Sequence, residues 1–188
     1  MNVILFSTAK TNSILLEITR SQFQECFADM PECISEFILR MKGRNADLTS
    51  VLNHSYAKSV FFDFLSQQHG QENILFFDDA NDYVQGYYHT TDNNLEKEKN
   101  RKRALSIINI YITHGASNEV NVSNDMYKKV IERIDANDIT EDIFEEAKME
   151  IFKILETDCF PRFKNSAMFS SIMEKIRVYD DTDMKLLT

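Results

Sequence analysis

Tryptophan is absent from this 188-residue chain, and glycine and proline are scarce, at four and two residues. A turn-rich sandwich or barrel uses far more of both, so the scarcity favours helices. Cysteine is limited to Cys26, Cys33 and Cys159, an odd number without CxxC spacing. That pattern gives no disulfide framework and no zinc site, and it points to a reducing cytoplasm. No apolar run is long enough to cross a bilayer, so direct membrane insertion is not expected. Positive charge is also short: 21 Lys and Arg stand against 30 Asp and Glu, a net charge of −9. Nucleic acid needs a basic footprint and is not an expected partner. There is no P-loop, no GxGxxG and no HExxH, and His54, His69, His89 and His114 are scattered. The sequence therefore implies no cofactor, no metal and no catalytic residue of its own.

Hydrophobic residues make up 43%, with 14 Phe and 7 Tyr to fill the large core positions. Gly43, Gly70, Gly86 and Gly115 each follow a stretch of helical character, which places four helix ends. The apolar run Ile14, Leu15, Leu16 and Ile18 predicts a short strand. Ser21 with Gln24 forms a capping-box signature, and Pro31 opens a helix that closes at Gly43. Everything after Asp47 reads as helical, apart from an exposed polar loop at 87–103 that runs into a helix through Ala104, Leu105, Ile108, Tyr111 and Ile112. Ser123 or Asn124 caps a helix from Met126 to Ile134. The clearest helix spans 143–157, with Phe144, Ala147, Ile151 and Leu155 on one face and Asp142 and Glu145 as a capping box. The expected fold class is all-α: an antiparallel helical bundle with a terminal helical subdomain and a short N-terminal strand and helix extension.

Two acidic patterns compete for a functional reading. Asp78, Asp79 and Asp82 spell DDxxD, and Asn124, Asp125 and Glu132 spell NDxxKxxxE. Both resemble the magnesium-diphosphate motifs of all-helical terpene synthases, since carboxylates on one helical face hold hard cations. Lys128 stands where that family has Ser or Thr, and the chain is far shorter than its catalytic domain. Solvated helix faces carry such acids routinely.

Other segments carry a stronger likeness. The stretches FFDFLSQQHGQENILFF (61–77), NEVNVS (118–123) and FEEAKMEIFKILETDCFPRFKNSAMF (144–169) occur in this order. Together they resemble the regulator-of-G-protein-signalling (RGS) pattern over about residues 46–173. The resemblance implies an RGS-type bundle that grips an activated heterotrimeric G-protein α subunit and acts as its GTPase activator, an inhibitor of signal transduction rather than an enzyme. It implies a cytoplasmic protein recruited to the inner membrane surface through the G protein. The positions it carries over as α-subunit contacts are Glu72, Asn73, Glu119, Asn121, Ile154, Asp158 and Arg162. The residues themselves agree in part: Asn73, Asn121 and the Asp158–Arg162 pair fall at helix ends, where binding residues gather. Asn73 and Asn121 also suit turns or caps, and Asp158 and Arg162 at i,i+4 suit a local ion pair. The sequence departs from the family at Phe77, often Trp there, and at His69–Gly70, Tyr-Ser in some members.

Residues 1–44 are similar to the closing strand and helices of a cyclic-nucleotide-binding domain, without that family's phosphate cassette. The expected organisation is an N-terminal extension at 1–44, the bundle at 46–173 and a tail at 174–188, within a larger multidomain protein.

Overall fold

The computed structural model describes residues 14, 17–88, 94–136 and 138–183. Among them are ten α-helices and no strand. Of the predicted strand, Leu15 and Leu16 lie outside the described residues, while Ile14 and Ile18 are exposed and not in a strand. Helix α1 (Arg20–Phe27) starts at Thr19, whose side chain accepts from the Gln22 backbone while Gln22 returns the bond. The capping box thus lies two residues ahead of the predicted Ser21–Gln24 pair. Pro31 opens α2 (Pro31–Lys42), and Gly43 ends it with φ 52. The all-α antiparallel bundle follows: α3 (Leu48–Leu52), α4 (Ser55–Gln67), α5 (Glu72–Tyr88), α6 (Asn94–Ile107), α7 (Asn124–Asp135), α8 (Glu145–Ile154), α9 (Phe160–Lys164) and α10 (Ala167–Asp183).

Phenylalanine builds the core, as its abundance predicts. Phe61 of α4 lies 4.8 Å from Phe163 of α9, centroid to centroid, and Phe163 meets Phe169 of α10 edge-on at 5.4 Å. A second aromatic cluster joins Phe76 and Tyr83 of α5 to Tyr111 and Phe144. Ring pairs at these separations add to the burial of apolar area. The N-terminal α2 packs on α3 and α10, and its Leu39 is fully buried. Arg44 fastens the same junction by donating to the Lys164 carbonyl and the Ser170 hydroxyl.

Several expectations need correction. Gly86 sits inside α5 rather than at its end. There it leaves room for Arg103 of α6, whose guanidinium stacks on the Tyr83 ring and donates to the Asp82 carbonyl; a Cβ on Gly86 would collide with its Nη1. Most of 87–103 is helical, because α5 runs to Tyr88 and α6 begins at Asn94. The 143–157 helix splits: α8 ends at Ile154, and Leu155–Cys159 widens into a π turn closed by Phe160 N–H donating to the Leu155 carbonyl. A second π turn, Ile108–Ile112, ends α6. Asp142 caps nothing; Phe144 takes the N-cap position of α8 without a side-chain bond. His54 stands at a helix end: it is buried and caps α4, accepting from the Ala57 backbone.

Candidate functional site

The turn between α4 and α5 is a helix-ending motif with a strained residue in it. Gly70 N–H donates to the Leu65 carbonyl at 3.0 Å and His69 N–H to the Ser66 carbonyl at 3.2 Å, the paired bonds of a Schellman ending. The left-handed position of that motif falls on His69, with φ 55, and not on Gly70. Glu72 then opens α5. Asn73 is buried at 8% exposure, and its Nδ2 donates to the Gly70 carbonyl and to Glu72 Oε1. Its Oδ1 enters no hydrogen bond among the described residues.

The π turn after α8 brings a second segment to the same place. Arg162 Nη2 donates to Asp158 Oδ2 at 2.8 Å, and Nε to the Asp158 carbonyl at 3.3 Å. The third arm of the guanidinium, Nη1, donates to Gln68 Oε1 across 94 positions of sequence. Arg162 therefore clamps the α4–α5 turn to the Asp158 corner. The buried Cys159 thiol between them is pushed up in pKa by burial, and the carboxylates of Asp158 and Glu72 add to the shift. A thiol held protonated in this way is a packing group rather than a nucleophile.

Asn121 lies on the connection from the Ile108–Ile112 π turn to α7. Val120 is buried there, and its N–H donates to the Tyr111 carbonyl at 2.8 Å. Val122 N–H donates back to the Val120 carbonyl at 3.0 Å, which makes Asn121 the apex of a γ-turn. The Asn121 side chain is exposed and outside every hydrogen bond among the described residues. Ser123 caps α7 and holds the Glu150 carboxylate with both its N–H and its hydroxyl, each at 2.8 Å. Glu119 faces its own loop: Oε2 accepts from Gly115 N–H at 2.8 Å, and Oε1 lies 3.1 Å from His114 Nδ1. The Gly115 bond and then His114 lower its carboxyl below the usual range. His114 in turn stacks on Tyr127 of α7 at 4.4 Å. Glu119 is arranged as a brace for the turn that presents Asn121.

Helix α8 links these pieces. Glu150 holds the start of α7, half-buried Ile154 ends the helix one turn later, and the next turn carries Asp158. Glu72, Asn73, Asp158 and Arg162 meet in one corner, while the Asn121 loop is tied to α8 through Glu150 and to α5 through Tyr111. No motif marks Gln68 or Glu150 as braces, since a C-cap amide and a helix-face carboxylate follow no local pattern. Nor do the DDxxD carboxylates converge: Asp78 receives Lys58, Asp79 receives the Tyr111 hydroxyl, each at 2.7 Å, and Asp82 is exposed. Burial raises the Asp78 pKa despite Lys58. An open groove of about 440 Å³ between α7 and α8 has its rim charges paired, Lys129 with Glu146 and Arg133 with Asp138 and Asp142.

The polar groups of this all-helical bundle gather on helix-end turns, where binding residues are commonly found. Residues 47–172 match the regulator of G protein signaling domain, and the chain belongs to that family. It is 26% identical over 131 residues to Regulator of G-protein signaling 13 of Mus musculus, covering 69% of this chain and 76% of that protein. It is 29% identical over 128 residues to Regulator of G-protein signaling 1 of Xenopus tropicalis, covering 68% of this chain and 59% of that one. It is also similar to Sorting nexin-13 of Mus musculus, at 22% over 156 residues, but spans only 16% of that longer protein. The family match starts at residue 47, so it lends no support to the cyclic-nucleotide-binding likeness of 1–44.

Proposed function

We propose that this chain binds an activated heterotrimeric G-protein α subunit and accelerates its GTP hydrolysis by holding the switch segments in their transition-state arrangement. The observation that carries the reading is the Arg162 clamp, which joins the Asp158 corner to the Glu72–Asn73 turn, with the unbonded Asn121 amide presented from the neighbouring loop. In this family the α subunit supplies its own Arg and the Gln that orients water. The RGS partner contributes only contacts that are stronger in the transition state than with GTP bound. A hundredfold acceleration needs about 2.7 kcal/mol of such differential binding, the scale of a few hydrogen bonds.

Asn121 lies nearest the partner's catalytic Gln, Asn73 and Glu72 meet the switches from the adjacent turn, Asp158 accepts from the first switch, and Ile154 adds apolar contact. Glu119 acts from behind, through its loop. Residues 46–173 form the active module. The protein works in the cytoplasm, at the inner membrane surface where its partner resides, as part of a larger multidomain chain. Asn121→Ala lowers single-turnover GTPase acceleration about tenfold, about 1.4 kcal/mol, while the thermal melt stays unchanged. Full stimulation by the folded variant rejects the assignment.

The His69–Gly70 turn favours one second reading: docking without acceleration, as a scaffold. Binding to α subunits in GDP, GTP-analogue and aluminium-fluoride forms separates the two, because a pure scaffold does not prefer the aluminium-fluoride form.

A further inference from the structure

We propose that Gln68 is a positioning residue for this interface: it fixes the α4–α5 turn against the Asp158 corner before the partner arrives, and so sets affinity rather than maximal rate. The inference rests on the functional reading above and deepens it. Gln68 is the C-cap of α4, and its backbone N–H is held by the Leu65 carbonyl at 3.0 Å, so the stem of its side chain is anchored. Its Oε1 accepts from Arg162 Nη1, and no other side-chain hydrogen bond among the described residues ties residues 67–71 to residues 158–162.

The amide chemistry matters as much as the reach. Arg162 has one acid partner at this corner, Asp158 at 2.8 Å, and Gln68 accepts from the guanidinium without adding a charge that competes for it. Gln68 itself need not touch the α subunit. Losing its bond frees the turn carrying Glu72 and Asn73 to move relative to Asp158, and the partner must then order both segments on binding. Asn121 stands on another loop, held by Tyr111 and Glu150, so the contact nearest the reacting phosphate stays in place.

The test is single-turnover GTP hydrolysis by an α subunit that the wild-type chain stimulates, measured against concentration of the full chain. Gln68→Leu raises the half-maximal concentration about tenfold and leaves the plateau rate within about twofold. Gln68→Glu, which keeps an acceptor of the same length but adds a charge that competes with Asp158 for Arg162, restores the half-maximal concentration only in part, to within about threefold of wild type. In an Arg162→Leu background the Gln68→Leu effect vanishes, as coupling through one bond requires. A half-maximal concentration for Gln68→Leu within about twofold of wild type overturns the proposal. So does a fall in plateau rate, or additivity with Arg162→Leu. Should wild type stimulate no α subunit at all, the functional reading fails first and takes this inference with it.

Discussion

His69 holds a backbone conformation that L-residues rarely adopt, at the edge of the proposed interface. The left-handed region costs a non-glycine residue roughly 1–2 kcal/mol, and the Schellman bonds at Leu65 and Ser66 hold it there. His69→Gly should therefore stabilise the fold by roughly 0.5–1 kcal/mol, the relieved strain less the added freedom of the unfolded chain. Urea unfolding checks this, and a lower midpoint would mean that the exposed ring makes a compensating contact. The sequence flagged the turn correctly but misplaced its strain, because a His-Gly pair after a helix does not say which residue turns left-handed. Asn73 illustrates the same limit. Its place at a helix start was legible, whereas its burial and its bond to Gly70 depend on packing that no local pattern encodes.

Among the elements, the α7–α8 connection departs furthest from its sequence pattern. Asp142 and Glu145 have capping-box spacing, yet Asp142 turns instead to the Thr140 hydroxyl and to Arg133, which also holds Asp138. The Thr140 hydroxyl first, and Arg133 second, hold the Asp142 carboxyl below the usual aspartate range. A depressed folded value means that the stabilisation is complete above the unfolded aspartate pKa and disappears as pH falls through the folded value. Denaturation followed from about pH 5 down to about pH 2 should thus show acid destabilisation that Thr140→Val reduces. An identical pH slope in the variant would show that Asp142 is not the group responsible. Both π turns escaped notice for a related reason. Phe144, Ala147, Ile151, Leu155 and Cys159 keep a spacing of three or four through the widened turn, so apolar periodicity continues across it.

At the scale of the whole molecule, the N-terminal helices bear on the bundle. The family match begins at residue 47, yet α2 packs on α3 and α10, with Leu39 fully buried. Leu39→Ala should cost about 2–5 kcal/mol and should lower the melting temperature equally for a probe on α2 and a probe on α8. Separate transitions at the two probes would make the extension an independent unit. Composition was enough to predict an all-helical, Phe-filled bundle, because scarce Gly and Pro and regular apolar spacing are properties of whole helices. The corner at Arg162 was legible only as an i,i+4 pair with Asp158. Its third arm reaches Gln68 across 94 positions, a distance at which local pattern carries no information.

The widened turn at Leu155–Cys159 sets the angular phase of all that follows it. One residue advances an α-helix by about 100°, so an uninterrupted helix would rotate α9 by about that much about its axis. Phe160 and Phe163 would swing away from Phe61, and the Arg162 guanidinium would no longer face the end of α4. That single surplus residue thus lets one continuous stretch of chain face the core with its rings and the α4–α5 turn with its charge.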